Sequence, residues 1–270
     1  MKRIIRSGNV IEEFYVWKRD VKETRAERRR GASDMRKVAA NLKVAQKRLT
    51  RVLNENYAEG DLLITLKYRD DALEGKDRAA LYHDRELFLR RIRRDLAHMG
   101  IEYRTVAVLG VRSSKTGEPA RPHHHIVLPR MDYERLRARW EHGSVDYRLL
   151  RDDDTYAWLA EYLLKNAPDD IPDAKKYTIS RGMRKPQCDE VIARGAGPIV
   201  PPSGAKVLHR GEYDRHRAVD YVVYLAPDAK KRVRTPASEV RTAAKKSASK
   251  QRPQKTSKQN RAAGGGAGAD

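Results

Sequence analysis

The bulky apolar residues of this chain come in short β-prone runs set between charged segments, and that pattern restricts the fold more than any other feature. Leu62-Leu63-Ile64-Thr65-Leu66-Lys67-Tyr68 lies between Gly60-Asp61 and Asp70-Asp71. A run so short, apolar and sharply bounded predicts a buried strand. Glu102 to Val111 predicts a second strand and His123 to Pro129 a third, joined by the Ser/Thr/Gly/Pro-containing stretch Arg112 to Arg121. Strand, loop and strand in this order predict an antiparallel hairpin. Between and after them, helical spacing recurs. Leu81, Leu87, Phe88, Ile92 and Leu96 predict a helix stopped at Gly100, Asp132 to His142 one stopped at Gly143, and Tyr156 to Asn166 one stopped before Pro168. Asp152-Asp153-Asp154-Thr155 offers capping and acidic first-turn residues to the last. Val145–Leu149 and Val219–Leu225 predict further short strands.

The first sixty residues are basic and read as mostly helical. Met35, Val38, Leu42, Ala45, Leu49, Val52 and Leu53 fall on one helical face, preceded by Ser33 and Asp34 as N-cap candidates. The opposite face carries Lys and Arg, which predicts a surface helix packed on the main domain. Past Pro227 the chain loses its aromatics and most bulky apolar residues, and from Lys230 on it holds 12 Lys or Arg against two acids. That composition predicts a disordered cationic tail.

Charge and cysteine usage narrow the function classes. With 35% charged and 39% apolar residues, the core is modest. A formal net charge of +21 attracts polyanions, of which nucleic acid is the commonest. The single cysteine, Cys188, excludes an internal disulfide framework and a multi-Cys zinc site. No apolar run approaches the roughly 20 residues that span a bilayer, and the N-terminus lacks a signal-peptide stretch, so a cytoplasmic protein without a membrane partner is expected. No glycine-rich phosphate loop points to an NTPase.

Chemistry concentrates at two places. On a strand, residues two apart face one side, so His123 and His125 project together while His124 faces away. Two imidazoles so placed can share a divalent metal. On the helix Tyr156–Asn166, Tyr162 and Lys165 are three apart and share a face. A phenol is a poor nucleophile at neutral pH, and a nearby ammonium or metal favours its phenolate. The pair suits attack on phosphorus.

The order of these elements resembles the HUH endonuclease superfamily. Leu63–Tyr68 resembles the first motif of rolling-circle replication initiators, Arg121–Leu128 their two-histidine motif, and Tyr162-Leu163-Leu164-Lys165 their tyrosine motif. Trp140-Glu141-His142-Gly143 and Tyr177 to Pro186 resemble replication-associated proteins of the filamentous-phage gene II type, found on bacterial plasmids, phages and integrated elements. The resemblance implies an α+β fold: a central antiparallel sheet of about five strands with flanking helices, HUH or RRM-like. The resemblance covers roughly Gly60 to Pro186, and with the changes of composition the chain divides into a basic helical extension (1–60), a nicking domain (61–226) and the disordered tail (227–270). It implies Mg²⁺ or Mn²⁺ held by His123 and His125; because the usual third-ligand position falls near Gly110, the third ligand is Glu118, or Glu102 in another register, or the site is completed by waters. Tyr162 would be the nucleophile, Lys165 its helper, and Thr65, Lys67, Arg121, Arg181 and Lys185 nucleic-acid contacts. The expected partners are single-stranded or hairpin DNA, with host helicase and polymerase. The same fold also serves transposases and relaxases, and a non-catalytic DNA- or RNA-binding protein.

Overall fold

The computed structural model describes residues 1–16, 35–113, 115–151, 154–172, 175–193, 197–213 and 218–230, with the side chains of 35–40, 212–213 and 218–219 left aside. The expected hairpin is present. β4 (Val106–Arg112) runs antiparallel to β5 (Pro119–Leu128), and Gly117, at φ 74°, supports the turn between them. β3 (Leu62–Lys67) pairs antiparallel with the other side of β5. Two short edge strands, β6 (Val145–Leu149) on β3 and β7 (Tyr177–Ile179) on β4, complete a five-stranded antiparallel sheet of order β6-β3-β5-β4-β7.

β3 and β5 read as nearly continuous apolar runs because the sheet is covered on both faces. Leu62, Ile64, Leu66, Ile126 and Leu128 pack with Phe88, Ile92 and Leu96 of α3 (Arg78–His98) and Leu136 of α4 (Tyr133–Arg139). The alternate residues Leu63, Val106, Val108 and Val127 pack with Ala45, Leu49 and Leu53 of α1 (Met35–Asn56). Leu159 and Leu163 of α5 (Ala157–Asn166) join the same cluster. A single turn of helix, α2 (Asp70–Leu73), follows β3. Asp77 caps α3 by accepting from the Ala80 amide at 2.8 Å, Asp132 caps α4 from Arg135, and Gly100 (φ 69°) follows the C-cap Met99 of α3.

Three sequence expectations need correction. The N-cap of α5 is Tyr156, with no side-chain cap bond, and Asp154 takes a left-handed φ of 65°; Asp152 and Asp153 lie outside the described residues. The Tyr156 amide donates to Asn54 Oδ1 on α1 at 2.8 Å, so the start of the tyrosine helix is set by another helix. Second, the segment 1–60 is not helical throughout: β1 (Lys2–Ser7) and β2 (Val10–Tyr15) form a hairpin before α1. Isolated alternation such as Ile5, Val10 and Phe14 stabilises little without partner strands, and those partners come from the far end of the chain. Third, β1 and β2 join β8 (Gln187–Val191), β9 (Lys206–Tyr213) and β10 (Ala218–Leu225) in a second sheet of order β8-β1-β2-β10-β9. Strand pairing therefore crosses the expected boundary at residue 60. The described residues fall within the compact unit Met1–Arg234; of the tail expected over 227–270, only residues 227–230 are among them.

Candidate active site

Cross-strand partners in an antiparallel sheet share a face, and the register of β3, β5 and β4 sorts the histidines accordingly. His123 lies between Lys67 and Gly110, and His125 between Thr65 and Val108, on the α5 face. His124 lies between Leu66 and Leu109 on the α3 face. The expected division of the three histidines is therefore observed. His124 is fully buried, its Nε2 bonded to the Tyr68 hydroxyl at 3.0 Å, among the rings of Tyr68 and Trp140. Burial pushes its imidazole down to about 3, so it is neutral.

His123 and His125 converge. Their Nε2 atoms are 3.0 Å apart, and the Tyr162 hydroxyl reaches 3.4 Å from His125 Nε2. The other ring nitrogen of each is held from behind. His123 Nδ1 lies 2.8 Å from the Arg121 carbonyl, and His125 Nδ1 lies 3.1 Å from Thr65 Oγ1. A carbonyl only accepts, so His123 donates from Nδ1 and presents a bare Nε2 lone pair. The His125 Nε2–H then donates to it and the Thr65 hydroxyl donates to His125 Nδ1, a chain running in one direction. Burial lowers the pKa of both rings, that of His125 to about 3 with the neighbouring His123 as second cause. Two neutral imidazoles with converging nitrogens and fixed rear partners are a fitting half-site for a divalent cation.

Gly110 is a condition of this arrangement. A Cβ there would sit 2.4 Å from His123 Nε2, so the ring lies over this glycine and any side chain at the position would displace it. Glycine itself offers no ligand from that position. Glu118 does not replace it. It is exposed in the β4–β5 turn, and among the described residues no three His, Cys, Asp or Glu side chains gather to hold a metal. The exposed Glu102 lies 3.9 Å from Arg104 instead.

Cations are distributed differently from the expectation. Lys165 pairs with Glu161 at 2.6 Å on exposed α5 surface. Burial raises the Tyr162 pKa, and the charges opposing that rise are Arg148 first and then Lys67. Lys67 is itself paired with Asp146. Arg148 escaped sequence reasoning: it lies two residues beyond Asp146 on β6, and only the pairing of β6 with β3 brings it to this face. Arg121 pairs with Asp70 at 2.5 Å, while the exposed Arg181 and Lys185 lie in the segment after β7.

The two further sequence motifs act as supports. Trp140 Nε1 donates to the Lys67 carbonyl at 2.9 Å, His142 Nε2 lies 3.4 Å from the buried Asp84, and Gly143 presses against Lys67 and Arg69. Together they fix the end of β3 beside His123. Asn56 at the end of α1 exchanges two 2.9 Å bonds with the Arg184 backbone, anchoring the segment 180–186.

The segment carrying Thr65, His123, His125 and Tyr162 also decides the comparison with known proteins. Residues 61–167 match the family model of the replication-associated proteins of the ORF2 and gene II protein type. The match opens at Asp61, just before β3, and closes at Ala167, the C-cap of α5, so it takes in the convergent residues and leaves the second sheet outside. This segment is similar to a replication-associated protein. No curated protein and no solved structure matches the chain. Among the described residues, no helix is long and apolar enough to cross a membrane.

Proposed function

We propose that this chain is a rolling-circle replication initiator, a metal-dependent nickase of single-stranded or hairpin DNA that uses Tyr162 as its nucleophile. The observation that carries the reading is the approach of the Tyr162 hydroxyl to 3.4 Å from a pair of neutral imidazoles 3.0 Å apart. The similarity of residues 61–167 to a replication-associated family supports it independently. His123 and His125 would hold Mg²⁺ or Mn²⁺ through Nε2, with solvent and DNA oxygens completing the shell. When bound, the ion supplies Lewis-acid polarisation of the scissile phosphate and neutralises developing charge.

The remaining work falls to the chain's own groups. Thr65 and the Arg121 carbonyl hold the imidazole planes, and His125 can move its proton to Nδ1, turning Thr65 from donor to acceptor. α5 presents Tyr162 Oη from a buried helix face. Attack forms the Tyr162 Oη–phosphorus bond and breaks the bond from phosphorus to the 3′ oxygen. The phenol proton passes to solvent, and the departing oxygen takes one up as a free 3′-hydroxyl. The 5′-phosphotyrosine link retains the bond, so the reverse step rejoins strands.

The test is covalent capture. Labelled single-stranded DNA incubated with the full chain and Mn²⁺ should give a protein–DNA adduct, lost in Tyr162→Phe. An adduct surviving in Tyr162→Phe would identify another nucleophile. A second reading, a non-catalytic nucleic-acid-binding protein, is favoured by one feature: no third protein ligand gathers among the described residues. DNA binding without any adduct on origin-derived strands would decide for it.

A further inference from the structure

Three positive side chains surround the tyrosine in sequence and space, and their pairing differs. Lys165 is held by Glu161 and Lys67 by Asp146. Arg148 is exposed and has no carboxylate partner among the described residues, although its charge acts on both Tyr162 and His125. Its position is set by the sheet. β6 is an edge strand bonded to β3, and Arg148 stands across from Leu63, itself across from Val127, on the face that α5 covers. Asp146 stands across from Thr65 on that face, so its one carboxylate faces Lys67 while Arg148, one pleat on, is left uncompensated.

Beside Tyr162 and His125, a guanidinium with no carboxylate partner among the described residues adds positive charge to that face of the sheet. A strand edge also leaves it open to solvent. A guanidinium is weakly hydrated and matches phosphate oxygens bidentately, which a lysine already bound to a carboxylate cannot do. We propose that Arg148 grips a backbone phosphodiester of single-stranded DNA at the Tyr162–His123–His125 centre. This assignment rests on the nicking reading for its catalytic consequence, not for the phosphate contact itself.

The contact can be tested where nicking cannot interfere. Full-length protein carrying Tyr162→Phe is titrated by fluorescence anisotropy with a labelled mixed-sequence single strand across a salt series. Adding Arg148→Gln should weaken binding roughly tenfold at low salt and flatten the slope of log K against log salt by about 0.7, the share of one single-strand phosphate. Arg148→Lys should keep the slope and recover part of the affinity. Arg90→Gln, an exposed arginine on α3 across the sheet, is the control for a general loss of charge. Affinity and slope unchanged in Arg148→Gln, or changed equally in Arg90→Gln, would overturn the proposal. With Tyr162 intact and DNA saturating, Arg148→Gln should slow adduct formation at least tenfold, and an unchanged rate would place Arg148 away from the reacting phosphate. Should the wild type form no adduct, the nickase reading falls alone, and the anisotropy series still decides whether Arg148 holds a phosphate.

Discussion

Gly110→Ala isolates the geometry of the histidine pair from the stability of the fold. An alanine Cβ would lie 2.4, 2.7 and 2.9 Å from Nε2, Cε1 and Cδ2 of His123, against an ordinary contact of 3.4 Å or more. The ring must therefore retreat by about 1 Å, since Gly110 sits in a strand whose backbone cannot yield without breaking its pairing with His123. The Gly110 backbone is not in the left-handed region, so alanine itself adds no strain there. His123 is a side chain at a partly open position and can swing outward, so the melting temperature should move by only a few degrees, as for a change of about 1 kcal/mol or less. The centre, by contrast, loses the 3.0 Å convergence of the two Nε2 atoms. A misplacement of ~1 Å at reacting groups costs on the order of a hundredfold in rate, and loss of one of two imidazole donors should weaken Mn²⁺ binding comparably. Isothermal titration with Mn²⁺, thermal unfolding and the adduct assay on one preparation separate the effects. Wild-type metal affinity and adduct rate in Gly110→Ala would refute the claim that the His123 ring lies across this glycine. A collapse of stability with both would refute the claim that the ring can yield.

Two further outcomes follow from the same structure. His124 and His125, both held neutral by burial with pKa values near 3 against 6.5 when exposed, bind no proton in the folded chain where the unfolded chain does. Stability should thus be full above pH 6.5 and fall as pH drops toward 3, by roughly 1.4 kcal/mol per unit for each ring at most. Urea midpoints at pH 7 and pH 5 measure this, and equal midpoints would contradict it. Gly143→Ala is expected to damage the fold itself, because its Cβ would meet the Lys67 carbonyl oxygen at 2.1 Å and the Arg69 amide nitrogen at 2.9 Å. Main-chain atoms cannot rotate away, so a loss of at least about 2 kcal/mol is expected. Denaturant unfolding that shows wild-type stability would refute it.

Much of the site was legible in the sequence because it depends on local periodicity. The two-residue repeat of a strand separates His123 and His125 from His124 wherever β5 is placed, and the run Leu62–Lys67 announces a buried strand by composition alone. Helical spacing likewise put Ala45, Leu49 and Leu53 on one face, and the structure buries all three. The side chains that the structure sets apart from the centre are held by partners outside the motifs themselves. Lys165 shares a helix face with Tyr162, yet Glu161 four residues earlier is its closer electrostatic partner. Glu118 follows a turn whose backbone bonds hold it away from the histidines, with the Ser113 amide donating to the Glu118 carbonyl at 2.9 Å. The N-terminal hairpin was missed because six-residue strands carry little signal apart from the sheet they enter.

Which side chains point together along each strand and helix can be read from residue order alone, since backbone geometry sets that over a few residues. The chain's attraction for polyanions can be read from composition, since net charge needs no fold. Which elements meet depends on contacts between segments far apart in the chain. Pairing of β6 with β3 brought in Arg148, pairing of β4 with β5 laid the His123 ring over Gly110, and Asn54 on α1 set where the tyrosine helix begins. Register and helix docking are set by burying the apolar faces of distant segments against each other, an energy that no local window of residues contains.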